Sequence, residues 1–209
     1  MAILLNERRA DRPVDAQFLD RWSPRAFSPA PVPQDVLDSL FEAARWAPSC
    51  FNEQPWLFLC ARERPDLDQF RGLLLDSNRV WADRAPVLAY LFARKTFERN
   101  GKPNRWAMFD CGAAWMSLAL QARRLGLYAH AMAGFRREDT YEELGVPAAD
   151  YEVICAIAIG SYGDPAVLPP DVAAREKPND RKPISSFVIY GRMDKPAGWG
   201  RFELRSLTA

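Results

Sequence analysis

Two kinds of apolar spacing run through this chain. Val36, Leu37, Leu40, Phe41 and Ala44 recur at i, i+1, i+4, i+5 and i+8. That is one face of a helix, so the spacing predicts a helix over Gln34–Trp46, stopped by Pro48. Elsewhere the apolar residues are continuous over short runs, at Trp56–Cys60, Pro86–Phe92 and Tyr151–Ile159. Runs of that length suit strands buried on both faces. Leu127–Met132 is a shorter apolar run, and Phe187–Tyr190 is a last strand candidate. The longest apolar stretch, Trp106–Ala122, lies in a helix expected from about Asn104 to Leu125, with Gly126 in the favoured C-terminal position. It is shorter than the ~20 residues of a membrane span and holds Asp110, Ser117 and Gln121. A helix apolar on nearly all sides is otherwise a buried one, and it reads as the central helix of the fold.

Polar and proline-rich stretches set the connections. Residues 1–20 are charged, with a short helix over Asp15–Asp20 leading into the next segment. Pro29, Pro31 and Pro33 rigidify a connector that cannot be a helix interior. Pro65–Leu75 and Asp139–Leu144 read as small helices, the second closed by Gly145 and Pro147. Arg94–Asn104, with Gly101-Lys102-Pro103, reads as a surface loop or lid, and 163–183, rich in proline, as loop. There are no internal repeats. The alternation of strands and helices predicts an α+β or α/β sheet with a central helix.

Composition narrows the function classes. A chain of 209 residues fits one domain, or a domain with an extension. Its 28 Lys+Arg balance 27 Asp+Glu, and no long block is strongly basic, which argues against a nucleic-acid binder. The four cysteines, at 50, 60, 111 and 155, show no CxxC or metal-like spacing. Cys60 and Cys155 fall in apolar runs and are expected to be buried, reduced thiols of a cytoplasmic protein. Met1–Ala10 carries Glu7, Arg8 and Arg9 and no apolar core of signal length. His130 is the single histidine, with no carboxylate or cysteine pattern around it. It is expected to be structural or pocket-lining rather than part of a Ser/His or metal mechanism.

Candidate chemistry gathers in two stretches. Arg21-Trp22-Ser23-Pro24-Arg25-Ala26-Phe27 places two guanidinium groups and a hydroxyl at alternate positions. In an extended segment these share one face and suit a phosphate or another planar anion. One helix later, Ala47-Pro48-Ser49-Cys50-Phe51-Asn52-Glu53-Gln54-Pro55-Trp56 supplies amides and hydroxyls suited to the rim of a heterocycle. A phosphate with a polar heterocycle attached describes a nucleotide or a flavin.

The motif R-x-S-x-R-x-F, then P-V-P and a helix ending A-A-R-W-A-P-S-x-x-N-x-Q-P-W, resembles the nitroreductase family of flavin enzymes. The likeness continues through Met132-Ala133-Gly134-Phe135, Ala158-Ile159-Gly160 and Arg181-Lys182-Pro183, over roughly residues 17–190. It implies an α+β fold, with a mixed sheet flanked by helices around the long central helix. It also implies a homodimer with exchanged C-terminal segments, so 1–190 would be one FMN-binding domain and 191–209 an extension. By the same resemblance, Arg21 and Ser23 hold the FMN phosphate, with Arg181 as a further cation and Trp22 beside them. Arg25 reaches the pyrimidine edge of the isoalloxazine. Ser49, Cys50, Asn52 and Gln54 lie over the flavin bound mainly by the other subunit, and Ala131, Met132, Ala133 and Gly134 run along its reactive edge. Some relatives carry an acidic residue at the Ala133 position, which bears on substrate preference.

The expected function is an FMN oxidoreductase in which NAD(P)H delivers hydride to the flavin and a small acceptor, such as a nitroaromatic or quinone, removes the electrons. No catalytic side chain and no metal are required. Alternatives are a specialised reductive enzyme such as a dehalogenase, or a non-catalytic flavin-storing protein. Dimerisation also has a reading from the residues themselves. Trp106, Met108, Phe109, Trp115, Met116, Leu118 and Leu120 point in every direction round one helix, more than a single chain can cover. A two-fold copy of that helix would cover the remainder, and Phe187–Tyr190 would complete an open sheet edge.

Overall fold

The computed structural model describes residues 6–192, in two units that divide between Asn179 and Asp180. Along the first unit run α1 (Ala16–Asp20), α2 (Gln34–Arg45), β1 (Trp56–Ala61), α3 (Asp66–Gly72), α4 (Asp76–Ala82), β2 (Val87–Arg94) and α5 (Ala107–Arg124). These are followed by β3 (Leu127–Met132), α6 (Arg137–Glu143), β4 (Tyr151–Ser161) and α7 (Pro170–Ala173). Asp15 starts α1 by accepting from the Gln17 N–H, the expected N-cap bond. Gly126, at φ 79°, turns the chain from α5 into β3, a backbone conformation that needs glycine.

The sheet order is β1-β2-β4-β3. Every ladder is antiparallel, where the resemblance implies a mixed sheet. The strands β2 and β3 do run the same way, but β4 lies between them, so no parallel pair forms. Two apolar layers cover the sheet. Val87, Ala89, Leu91 and Ala93 face α2 and α5, whereas Leu88, Tyr90 and Phe92 face α3, α4 and α7. On β4 the same division needs a change of parity, with Val153 on the face of Ala156 and Ala158. A bulge opposite Leu91 and Phe92 supplies it, since one extra residue flips the alternation.

Several expectations meet corrections here. β2 is buried along its length as its apolar run predicts, but β1 pairs on one side only, and Cys60 is exposed on it. A continuous apolar run does not distinguish a central strand from an edge strand. Cys155 is half-buried, and Cys111 is the fully buried thiol. The helix expected over 65–75 stops at Gly72, and α4 follows it, unforeseen because 76–82 lacks a strong apolar period. The Arg94–Asn104 connection is a loop closed by a bridge between Thr96 and Pro103.

The helix α5 is not buried all round. Its inward stripe is small, built of Ala107, Cys111, Ala114, Leu118, Ala119 and Ala122, which lets it lie close on the sheet and α2. Trp106, Met108 and Phe109 face outward, and Phe109 is 77% exposed. In the second unit Ile184–Ser186 makes one 3-10 turn, and Phe187–Tyr190 forms no strand. Among the described residues of that unit there is no strand for it to pair with. The tail beyond Arg192 lies outside the described residues.

The turn after β4 packs backbone against backbone. The Gly163 N–H donates to Ala26 O at 2.7 Å, and an added Cβ would sit 2.7 Å from the Phe27 carbonyl carbon and the Ser28 nitrogen. Gly163→Ala is therefore expected to cost about 1–3 kcal/mol, the range for overpacking. Urea unfolding would check this, and a stability equal to the parent's would contradict the close approach.

Candidate functional site

The segment Arg21–Phe27 is extended, and its burial alternates. Trp22, Pro24 and Ala26 are buried, whereas Arg21, Ser23 and Arg25 are only partly so. The period-two expectation thus holds, and the two guanidinium groups and the hydroxyl share one face. Arg21 Nη1 lies 3.5 Å from Ser23 Oγ. The Trp22 side chain packs inward against Tyr128 and Tyr162, at ring separations of 6.0 and 5.7 Å, so any ligand contact from Trp22 falls to its main chain.

Long-range bonds fix this segment. Ser28 N donates to Ser161 O at 2.9 Å, beside the Gly163–Ala26 bond. The buried Glu176 carboxylate accepts from the Arg25 and Ala26 N–H groups, each at 2.8 Å. Glu176 lies 150 residues from Ala26 in a proline-rich stretch, and the local sequence carries no signal of this role.

His130, on β3, holds the other side. Its Nδ1 lies 2.8 Å from Pro24 O. A carbonyl only accepts, so Nδ1 carries the proton and Nε2 is left as an acceptor. The imidazole stacks on Trp81 of α4 at 4.5 Å, and the Arg25 guanidinium lies 5.9 Å from the same indole. Burial above all, with Arg25 and Arg21 adding to it and the bond to Pro24 opposing it, lowers the His130 pKa to about 4. His130 is expected to be structural or pocket-lining; here it holds the Pro24 carbonyl and stacks on Trp81, and the ring is neutral at physiological pH.

Beyond β3 the chain is moulded onto α4. Gly134 O accepts from Leu75 N at 3.0 Å and Asn78 Nδ2 at 2.9 Å, and the Gly134 N–H takes part in neither bond. A Cβ on Gly134 would meet Asn78 Nδ2 at 2.6 Å. Met132 is buried, while Ala131 packs toward the α5 face. Any ligand contact from 131–134 would therefore fall mainly to backbone. Asn78 and Trp81 were not foreseen as site-forming, since both sit in the helix the sequence concealed.

The second stretch is a strained loop. Phe51, Asn52 and Gln54 have φ of 56°, 57° and 50°, left-handed values that cost non-glycine residues about 1–3 kcal/mol each. Carboxylates and a hydroxyl hold it. Asp110 of α5 accepts from Cys50 N at 3.1 Å, Glu53 from Glu98 N at 2.8 Å, and Ser49 Oγ from Gln54 N at 3.0 Å. Gln54 Nε2 donates to Asn52 O at 2.9 Å, and Arg99 lies 4.0 Å over the exposed Phe51 ring. Asp110 is 3% exposed inside an apolar helix, and a lone carboxylate there was the available clue to its role.

The structure thus brings Arg21, Ser23 and Arg25 together with His130 and the approach to Gly134, on the face of the sheet that carries α4. Ser49, Cys50, Asn52 and Gln54 lie instead beside α5, on the opposite face. Arg181 belongs to the second unit, where its Nη1 donates to Asp180 O at 2.9 Å. Among the described residues no group of three His, Cys, Asp or Glu is placed to hold a metal, and no helix is long and apolar enough to cross a membrane.

A helix-flanked antiparallel sheet with a cationic segment held beside β3 defines an α+β architecture. Comparison with known proteins makes this specific. The family model "Nitroreductase family" matches residues 19–161. A crystallised oxidoreductase containing FMN is 40% identical, with a TM-score of 0.86 over 92% of this chain and 99% of that one. An FMN-dependent nitroreductase from Clostridium difficile is 25% identical, with a TM-score of 0.60 over 69% of this chain and 84% of its own. A Streptomyces coelicolor protein, provisionally named NADH dehydrogenase/NAD(P)H nitroreductase, is 28% identical over 72% of this chain and 83% of its own length. This chain belongs to the nitroreductase family, and it is an oxidoreductase.

The His130 environment gives a pH signature. Its pKa falls from 6.5 in the unfolded chain to about 4 in the fold, so the unfolded state binds the proton first. The stability this group contributes is full above about pH 6.5 and is lost as pH falls toward 4, on the order of 3 kcal/mol in all. Urea unfolding of the parent and of His130→Gln at pH 7 and pH 4.5 is expected to show a smaller loss in the variant. Equal losses would contradict a buried, neutral imidazole.

Proposed function

We propose that this protein is an FMN-dependent oxidoreductase that takes hydride from NAD(P)H and reduces a small organic acceptor, with two sites shared across a homodimer. The observation that carries the reading is the pairing of Arg21, Ser23 and Arg25 on the accessible face of a clamped segment beside β3. This donor set fits a phosphate monoester, which guanidinium and hydroxyl groups bind by charge-assisted hydrogen bonds. The close approach of Gly134 to Asn78, with backbone rather than side chain presented, fits a flat ring laid along the strand end.

When bound, FMN would supply the hydride-accepting and electron-passing chemistry. The chain's own residues do the rest. Arg21 and Ser23 hold the phosphate. Arg25, positioned by the Glu176 and Trp81 contacts, brings positive charge to the pyrimidine edge, where it favours electron uptake. His130 holds the Pro24 carbonyl and, neutral, adds no third positive charge to the pair. In this reading the described cluster offers no acid poised near neutral pH, and hydride transfer requires none.

The shared site follows from the two faces of the sheet. One chain keeps the Ser49–Gln54 loop away from its own Arg21–Arg25 cluster, so a partner would supply the loop. Three features support that partner: the outward Trp106, Met108 and Phe109 of α5, the open edge of β1, and the exposed Phe187, Ile189 and Tyr190. An interface above ~2,000 Å² in total, typical of obligate dimers, would cover them. The acceptor would stack in the same composite pocket, and a nitroaromatic or quinone has the required flat shape.

Arg21→Ala is expected to weaken FMN binding by about 1.5–3 kcal/mol, the scale of a charged hydrogen bond. Fluorescence titration checks it, and unchanged affinity would remove Arg21 from the site. Arg25→Met should lower the flavin midpoint potential more than it lowers affinity, and potentiometry showing the parent's midpoint would sink that role. Steady-state oxidation of NADH and NADPH with a panel of acceptors tests the reaction, and a flavin-loaded protein without turnover would overturn it. Light scattering at micromolar concentration should find only dimer; a folded, flavin-loaded monomer would defeat the shared site.

A further inference from the structure

Away from the Arg21–Arg25 cluster, the first unit holds a cleft of about 520 Å³. The proline connector before α2, the turn from β1 into α3 and the turn from α4 into β2 form its walls. Four arginines line it, Arg62, Arg64, Arg71 and Arg84, against two carboxylates, Glu63 and Asp83. Part of this charge is neutralised locally. Glu63 pairs with Arg62 at 2.7 Å, and Asp68 pairs with Arg64 at 3.2 Å and Arg71 at 3.3 Å. Asp83 lies 3.8 Å from Arg79, which is not among the lining residues.

Two guanidinium groups retain unused capacity. Arg84 has no ion pair and no side-chain hydrogen bond among the described residues. Arg71 donates from Nη2 to Ala85 O at 3.1 Å, but its Nε–H is buried with no partner. That donor is enclosed as the side chain stands, so an acceptor in the cleft would satisfy it after a small shift of Arg71. Guanidinium groups brought together from α3 (Arg71) and the turn after α4 (Arg84) suit oxyanions in particular, which guanidinium binds by charge-assisted hydrogen bonds. The volume falls within the range of about 300–1,000 Å³ for small-molecule sites.

We propose that this cleft binds a small polyanion, a phosphate ester or a polycarboxylate, with Arg71 and Arg84 as its principal contacts. The site is separate from the cluster assigned to FMN, because neither Arg21 nor Arg25 lines it.

Isothermal titration of the protein as purified with pyrophosphate, and separately with citrate, at constant ionic strength tests this. Saturable one-site binding of at least one probe is expected, and the tighter probe identifies the ligand class. Arg84→Ala, at an exposed position that leaves the fold intact, should weaken that binding at least tenfold, and Arg84→Lys by less. Arg21→Ala should change it less than twofold. Absence of saturable binding by both probes would overturn the proposal. So would affinity unchanged in Arg84→Ala, or binding lost in Arg21→Ala, which would place the anion in the other cluster.

Discussion

Two guanidinium groups held on one face of a five-residue segment repel each other, and the site depends on a backbone that does not yield. The restraint comes from groups remote in sequence. Glu176 takes two consecutive N–H groups, His130 takes the Pro24 carbonyl, and Gly163 brings its backbone against Ala26 and Phe27. Trp22, Ala26 and Phe27 anchor the same segment in the apolar layer. Each of these restraints acts on main chain or on inward side chains rather than on the outward triad. Choosing a neutral imidazole for one contact avoids adding a third charge to the pair.

The sheet decides how the remaining polar residues are distributed. Its two apolar layers are sorted by strand parity, corrected once by the bulge in β4. Whatever precedes β1 and touches α5 therefore lies on the opposite side from whatever follows β3 and touches α4. This separation keeps the two motifs of the sequence apart within one chain. It also explains where large apolar side chains are left over: alanines pack the inward side of α5, and the aromatic residues are displaced outward.

The Ser49–Gln54 loop holds conformational strain that local groups must balance. Three left-handed non-glycine residues in four positions would relax without the Asp110, Glu53 and Ser49 contacts. The carboxylate that looked out of place in an apolar helix is the one that ties this loop down.

The sequence by itself determined the elements and the chemistry that depend on local spacing. The face of α2, the buried run of β2, the alternation of Arg21, Ser23 and Arg25, and the glycine turn into β3 all follow from period and backbone geometry within a few residues. The family motifs named the fold and the ligand class for the same reason. Tertiary structure alone decided which apolar run became an edge strand, which side of α5 stayed outside, and that Phe187–Tyr190 forms no strand among the described residues. It also supplied Glu176, Asn78, Trp81 and Asp110, and set Ser49–Gln54 on the far face of the sheet. Such outcomes depend on contacts between residues tens to more than a hundred positions apart, which no local pattern encodes.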